Sequence, residues 1–216
     1  MGRKRRISYS ISGNKYILIF SINSTAFSYC SNLSYITIPD SVMTVGFGAF
    51  DYCTNLKNVS IGKGVKKFGV SPFDDTNVIP DGVFFNCNNL SYISVDAENK
   101  VYCSLEGNLF NKNKTELLQY ARGRLNTEYS IPASVIKIHS SAFNNSTNLR
   151  NITIPNGVKA IGSFSGCVNL ESIDIPDSVT SVNSNLAQSF YNCKNLTDIK
   201  IGNGIKEISY QMFKSC

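Results

Sequence analysis

The 216-residue chain carries 21 Lys and Arg against 15 Asp and Glu, and 42% of its residues are apolar, which is enough to form a core. Four positive charges are concentrated in residues 3–6, so the remainder is nearly neutral and lacks the basic patch typical of nucleic-acid binding. No stretch approaches the roughly 20 apolar residues that span a bilayer, so we expect no membrane insertion of this segment.

Residues 1–15 are predicted to form a basic tail outside the ordered part of the chain. A solvated tail is the favoured interpretation of this charge run, and a contact with nucleic acid, an anionic membrane contact and a targeting signal are the alternatives. The apolar run at 16–20 is shorter than the about 7–15 residues of a signal-peptide core.

One ten-residue pattern then returns six times along the chain. Its copies begin at Cys30, Cys53, Cys87, Ser146, Cys167 and Cys193. The apolar positions of the six copies are Leu33/Ile36/Ile38, Leu56/Val59/Ile61, Leu90/Ile93/Val95, Leu149/Ile152/Ile154, Leu170/Ile173/Ile175 and Leu196/Ile199/Ile201. A Phe precedes most copies and marks the period: Phe27, Phe50, Phe85, Phe143, Phe164, Phe190 and Phe213. Most intervals between these markers lie in the range of about 20–29 residues that is typical of leucine-rich repeats.

Each copy predicts a half-buried strand that ends at a Pro or Gly. A return path follows, and it begins with two apolar residues three positions apart: Val42/Val45, Val65/Phe68, Val135/Ile138, Val158/Ile161, Val179/Val182 and Ile205/Ile208. Because one unit cannot bury its own apolar edge, the units must stack. We therefore predict a β-rich leucine-rich-repeat solenoid, a right-handed coil with a continuous parallel β-sheet on its concave face and little helix.

Segments such as AFSYCSNLSYITIPDSVMTV, residues 26–45, resemble the BspA-like, or Treponema pallidum-type, leucine-rich repeats. The resemblance extends over residues 16–216. It implies a long unit whose core is interrupted by an inserted β-hairpin region, here at 96–130. It also implies a surface or secreted protein of bacteria or protozoan parasites that adheres to host matrix proteins or to other microbes.

These observations predict a single repeat domain of about six units over residues 16–216. A loop insertion at 69–82, rich in acidic residues and Pro, interrupts it and is interpreted as a solvated surface loop, with a recognition loop as the alternative. The chain ends at the start of a seventh copy without a polar capping unit, so we expect a fragment of a longer array.

Six of the seven cysteines share one repeat position, namely Cys30, Cys53, Cys87, Cys167, Cys193 and Cys216. Stacked strands place equivalent residues about 4.8 Å apart with parallel side chains, whereas a disulfide needs Cβ atoms about 3.8 Å apart. Free, buried thiols are therefore favoured, and disulfides between units are the alternative. Cys103 lies out of this register and is expected to be the reactive thiol.

The sequence predicts neither a catalytic site nor a cofactor nor a metal site. There is no C-x-x-C pair and His139 is the single histidine, so zinc binding is not expected. No constellation of a Cys or Ser nucleophile with an acid lies near His139, which is interpreted as a surface or hydrogen-bonded residue. No phosphate-binding glycine motif is present, so we expect a protein that is not an enzyme.

The outward positions of the predicted strands are the candidate ligand-binding residues. They are Tyr35, Thr37, Asn58, Ser60, Tyr92, Ser94, Asn151, Thr153, Ser172, Asp174, Asp198 and Lys200. Solenoid curvature makes such a row an extended binding surface. The first hypothesis is a cell-surface or secreted module that binds extracellular-matrix or microbial surface proteins, with glycans as a second ligand class. The alternatives are an intracellular or multidomain scaffold and a non-catalytic appendage of an enzyme.

Overall fold

A computed structural model of the chain describes residues 19–70, 82–182 and 189–216. The basic tail and residues 71–81 of the predicted loop insertion lie outside the described residues. Within those residues the chain winds as a coil of short strands and contains no helix. The predicted β-solenoid is therefore confirmed.

One row of strands forms what we call the front sheet. Its strands are β2 (Tyr35–Ile38), β4 (Asn58–Ile61), β6 (Tyr92–Val95), β10 (Glu128–Ser130), β12 (Asn151–Thr153), β14 (Ser172–Ile175) and β16 (Asp198–Ile201). Neighbouring strands in this row are parallel and pair without offset, so that Ile36 lies beside Val59 and Val59 beside Ile93. Inward Ile and Val side chains alternate with outward polar ones, as the two-residue period of a half-buried strand requires.

A second row, the back sheet, is built from shorter strands on the return path. These are β1 (Ser21–Ile22), β3 (Thr44–Gly46), β5 (Lys67–Val70), β11 (Lys137–Ile138), β13 (Ala160–Ile161) and β15 (Ser181–Val182). Most of the predicted apolar pairs of the return path are buried here, including Val42 with Val45 and Val158 with Ile161. The pairs nearest the C-terminus are less buried, since Val182 and Ile205 are only partly buried and Ile208 is 60% exposed.

Aromatic rings from successive units stack inside the coil. One stack contains Phe27, Phe50 and Phe84, with ring centroids 5.3 and 5.6 Å apart. The other contains Tyr120, Phe143, Phe164, Phe190 and Phe213, with centroids 5.0 to 5.3 Å apart. The assignment of Phe85 as a repeat marker is wrong, because Phe84 occupies the interior and Phe85 is 38% exposed. The spacing in the sequence already distinguishes the two, because Phe84 lies three residues before Cys87, as Phe50 lies three residues before Cys53.

The predicted hairpin region is confirmed as three antiparallel strands, which we call the insert: β7 (Tyr102–Leu105), β8 (Asn108–Asn111) and β9 (Glu116–Gln119). Its two faces are buried against two different cores. Leu109 and Leu118 pack against the core of the N-terminal units, whereas Phe110 and Leu117 pack against the core of the C-terminal units. The insert therefore divides the interior of the coil.

The insert also interrupts the front sheet. The prediction of one continuous sheet is therefore wrong. The backbone N–H of Ile93 in β6 donates to the carbonyl of Gly107 in the β7–β8 turn, at 2.8 Å, and β6 does not pair with β10. The front sheet consists of a three-stranded part, β2-β4-β6, and a four-stranded part, β10-β12-β14-β16. Strand β10 lies inside the segment predicted as insertion, 96–130, and is a seventh front strand beside the six predicted ones.

Truncation of a core leucine tests this stacking. Leu149 is 1% exposed, and we expect Leu149→Ala to lower the free energy of unfolding by about 2–5 kcal/mol, because it removes buried methyl groups and leaves a cavity. Leu125, which is 87% exposed, provides the matched control, and Leu125→Ala should change stability by less than about 0.5 kcal/mol. Urea unfolding followed by circular dichroism measures both, and equal effects of the two substitutions would contradict the assigned register.

Candidate binding surface

All twelve candidate ligand residues lie on the outward face of the front sheet, and each is at least partly exposed. The parallel register arranges them in two lines across the strands. Tyr35, Asn58 and Tyr92 lie side by side where the strands begin, and Thr37, Ser60 and Ser94 lie side by side near the strand ends. The C-terminal part repeats this arrangement. Sequence periodicity predicted these neighbours because parallel in-register strands place equivalent residues next to each other.

The N-terminal part of the surface is small, polar and uncharged on its strands. Ser94 donates from Oγ to Ser60 Oγ at 3.0 Å, and Thr37 lies on the far side of Ser60. These three side chains and the turns that follow them, including Asp40 and Asp96, line a groove of about 420 Å³. Hydroxyl groups therefore form its floor and carboxylates stand at its rim.

The C-terminal part carries more charge. Lys200 Nζ lies 3.0 Å from Asp174 Oδ2, and this hydrogen bond raises the pKa of the Lys200 ammonium. Both side chains are largely exposed, so the pair orients the two charges and stabilises the fold little. Together with Thr153 and Asp177 they line a groove of about 630 Å³, at the same level as the N-terminal groove.

Two surface residues were missed in the sequence. Glu128 and Ser130 are the outward residues of β10, and the register places them beside Asn151 and Thr153. Asn151 Nδ2 donates to Glu128 Oε1 at 3.5 Å, so the acidic side chain belongs to the same row. The signal was present, because Tyr129-Ser130-Ile131-Pro132 matches the Ile36-Thr37-Ile38-Pro39 end of an ordinary copy. With these two, the fourteen outward residues form what we call the front surface.

The turn of the insert separates the two parts of the front surface. The ring of Tyr92 lies over Gly107, where an added Cβ would come within 2.7 Å of a ring carbon. The guanidinium of Arg124 donates to the carbonyl of Glu106 and attaches this turn to the loop before β10. A ligand that crosses the whole front surface must therefore contact Tyr92 and the Glu106-Gly107 turn.

The repeated cysteines form a column of thiols inside the coil. From Cys53 onward the Sγ–H donates to the carbonyl oxygen of the stacked Phe one unit earlier, as Cys53 does to Phe27 and Cys167 to Phe143, at 3.0 and 3.1 Å. All seven cysteines are free, as the favoured interpretation expects, but Cys30 and Cys216 are exposed and not buried. In the unit with the insert the position is Gly123, where a Cβ would lie 2.3 Å from the backbone of Asn89.

The expectation that Cys103 is the most reactive thiol does not fit its surroundings. Cys103 is partly buried in the insert against the C-terminal core, and its Sγ–H donates to the carbonyl of Asn111 at 3.2 Å. Burial raises the pKa of Cys103, which lowers its reactive thiolate fraction. Cys30 and Cys216 are the exposed thiols.

The remaining candidate groups have structural partners. His139 is buried on the back sheet, and its Nε2 lies 2.8 Å from Glu116 Oε2, which fits the hydrogen-bonded interpretation. Among the described residues, no group of three His, Cys, Asp or Glu side chains could hold a metal ion. The part of the chain that the structure describes has no helix long and apolar enough to cross a membrane.

Comparison with known families finds one match that extends over nearly the whole chain. A family described as the BspA type leucine rich repeat region matches residues 18–122 and 119–216, in six copies. Among curated proteins none matches.

Solved structures with the same fold come from bacteria. A leucine-rich repeat protein from Eubacterium ventriosum is 26% identical with a TM-score of 0.63, over 91% of this chain and 61% of that one. A leucine rich cell surface protein from Faecalibacterium prausnitzii is 25% identical with a TM-score of 0.60, over 90% and 60%. The pneumococcal vaccine antigen PcpA, 22% identical with a TM-score of 0.60 over 86% and 54%, is similar in fold. The chain thus spans less than two thirds of the length of these proteins.

The rate at which each thiol reacts should follow its exposure in the structure. In the native protein we expect Cys30 and Cys216 to react with a chromogenic disulfide reagent within minutes, Cys103 more slowly and the four buried thiols last, because thiolates form and react only where solvent reaches them. In denaturant without reductant all seven should react. Two or fewer reactive thiols in denaturant would contradict the free-thiol assignment.

Alkaline pH should weaken the fold through the same thiols. Burial raises the pKa of Cys193 from 9.0 to about 12 and raises that of Cys167 as well. The unfolded chain therefore loses these protons first, so this stabilisation is complete below about pH 9 and is lost as pH rises toward 12. Urea titrations should show Cys193→Ser losing about 1 kcal/mol less than wild type between pH 8 and pH 10. Equal losses in both proteins would refute this linkage.

Proposed function

This chain belongs to the BspA-type leucine-rich-repeat family, and from that premise we propose that it is a non-enzymatic protein-interaction module of adhesin type. It acts at the cell surface or after secretion and binds host-matrix or microbial surface proteins through the front surface. The observation that carries the proposal is the in-register row of exposed polar and tyrosine side chains on a rigid sheet.

The rigidity of the strands supports binding without chemistry. The backbone beneath the front surface is held by interstrand hydrogen bonds and by a core in which Ile36, Val59 and Ile93 are almost fully buried. A partner would therefore meet side chains that are already in place and would lose little conformational freedom on binding. Hydroxyl, amide and carboxylate groups offer hydrogen bonds, and none of them is an activated nucleophile.

Tyr35 and Tyr92 are the strongest candidates for energetic anchors. Tyrosine is enriched among interface residues that dominate binding, because its ring buries area and loses few rotamers. Tyr92 is 52% exposed and stands beside the insert turn, whereas Tyr35 is half-buried at the edge of the three-stranded part. They lie on either side of Asn58 and so stand at the two edges of the N-terminal part of the surface.

The C-terminal part supplies selectivity rather than area. Its outward charges are Glu128, Asp174, Asp198 and Lys200, so carboxylates outnumber ammonium groups. Carboxylate rows of this kind favour approach of a basic segment and repel an acidic one. The proposed partner is therefore a protein with two adjoining regions: a polar surface that packs against Tyr35 and Tyr92, and a basic stretch that contacts the C-terminal carboxylates.

A surface location is proposed from the similarity to a known cell surface protein. The similar Faecalibacterium prausnitzii protein is described as a cell surface protein. The net charge of the chain without residues 3–6 is close to zero, which is compatible with a location outside the cell. Surface labelling of intact source cells with an antibody against this chain tests the location.

Substitution of both anchors tests the binding role. In the Tyr35→Asn/Tyr92→Asn variant, each tyrosine takes the residue that Asn58 provides at the same position of β4. We expect binding to purified extracellular-matrix proteins and microbial surface extracts, measured by surface plasmon resonance, to weaken at least about tenfold, because interface tyrosines each contribute about 1 kcal/mol or more.

The control is Tyr210→Asn, which changes a more exposed tyrosine away from the front sheet. It should bind as wild type does, and both variants should keep the native melting temperature. Unchanged binding by the double variant would exclude the front surface as the site.

A further inference from the structure

A pair of stacked tyrosines lies outside both the front surface and the core. Tyr29 and Tyr52 each directly precede a cysteine of the thiol column, in adjacent units. Their ring centroids are 4.7 Å apart and the ring planes differ by 4°. Tyr29 is 70% and Tyr52 38% exposed, and neither ring belongs to the core clusters.

The backbone at this corner does not favour tyrosine. Tyr29 and Tyr52 have φ angles of 60° and 54°, in the left-handed region that is unfavourable for residues with large side chains. The same corner in most other units has the same conformation but is occupied by smaller side chains, mostly ones suited to it: Asn86, Asn145, Gly166, Asn192 and Ser215, with φ of 54° to 75°. Asn and Gly adopt this conformation readily, so the fold requires the turn and does not require the aromatic rings.

Two exposed rings in a backbone conformation that disfavours them indicate a role in binding. Tyr29 lies largely in solvent, so burial compensates little for its conformation, and Tyr52 keeps 38% of its surface exposed. Tyr52 covers one face of the Tyr29 ring, and no other described ring stacks on the opposite face. We propose that Tyr29 and Tyr52 form a platform on which a pyranose ring of a carbohydrate stacks.

The geometry favours a sugar over a proline-rich peptide. Proline recognition uses aromatic-lined grooves, and two rings in direct contact leave no groove between them. A flat, electron-rich ring face suits the axial C–H groups of a pyranose.

Polar groups stand beside the rings at the same corner. Ser31 N–H donates to the Tyr29 carbonyl at 2.7 Å and Thr54 N–H to the Tyr52 carbonyl at 2.8 Å. These tight turns bring a hydroxyl-bearing residue close to the backbone of each tyrosine, and the exposed residues Asn32 and Asn55 follow in sequence. Hydroxyls and amides can both donate to and accept from sugar hydroxyl groups.

The test is the Tyr29→Asn/Tyr52→Asn variant, which installs the residue found at Asn145 and Asn192. The probes are hexamers of β-1,4-linked glucose and of β-1,4-linked N-acetylglucosamine, whose rings expose axial C–H faces. We expect wild type to show saturation-transfer difference NMR signals from at least one hexamer, and the variant to bind it at least about tenfold more weakly by calorimetry. The melting temperature of the variant should equal or exceed that of wild type, since Asn suits the left-handed turn better.

Two control variants separate this site from other exposed tyrosines. Tyr210→Asn should retain sugar binding, since Tyr210 is 75% exposed but stacks on no described ring. Tyr35→Asn/Tyr92→Asn should also retain it, so failure of this proposal and failure of the front-surface proposal are distinguishable.

Three results would overturn the platform. The first is the absence of saturation transfer from wild type to both hexamers. The second is a lower melting temperature in the Tyr29→Asn/Tyr52→Asn variant, which would make the stacked pair a structural element. The third is tyrosine-dependent binding of a decaproline peptide in place of the sugars, which would assign the pair to peptide recognition.

Discussion

Parallel pairing without offset is the constraint on which the other features of this structure depend. When Tyr35 pairs with Asn58 and Asn58 with Tyr92, every residue of a unit lies beside the residue at the same position of the next unit. Each position must therefore be compatible with its own copies at the spacing of neighbouring strands. Phe stacks on Phe, each buried thiol meets the same carbonyl, and small polar groups form rows on the outside. One geometric rule thus builds the core and the surface together.

The insert changes that regularity in one place. Its strands alternate their side chains between two cores, so that Leu109 and Phe110, adjacent in sequence, belong to opposite halves of the molecule. The insert is buried on both faces, and through the parallel pairing of β9 with β11 it continues the back sheet of the C-terminal units while it separates the two parts of the front sheet. The front surface is divided accordingly into a part with tyrosines and hydroxyls and a part with carboxylates and a lysine. Two grooves of different chemistry on one rigid body can hold two regions of the same partner.

Interior and exterior positions differ in how much variation they show between units. Inward sites are filled mainly by Ile, Val, Leu and Phe, with Tyr120 and Tyr129 in the unit of the insert, because each must pack against its copy above and below. Outward sites vary from Tyr to Asn, Ser, Thr, Asp and Lys without disturbing that packing. The corner before each cysteine is intermediate: its backbone is the same in most units, but its side chain ranges from none in Gly166 to a phenol in Tyr29. Both proposed binding surfaces lie at these permissive positions.

The sequence by itself determined the repeated strand, its inward and outward residues and the free state of the cysteines, because all of these follow from a local period and its repetition. Leu33, Ile36 and Ile38 could be assigned to one face from their spacing alone. Only the tertiary structure decided that the front sheet divides at the insert and that Leu109 and Phe110 face opposite cores. It also placed the turn at Gly107 against Tyr92, in the middle of the surface. These features depend on contacts between segments far apart in the chain, which periodicity does not encode. For Tyr29 and Tyr52 the period predicts that they are neighbours in adjacent units, but only the structure shows that their rings stack face to face.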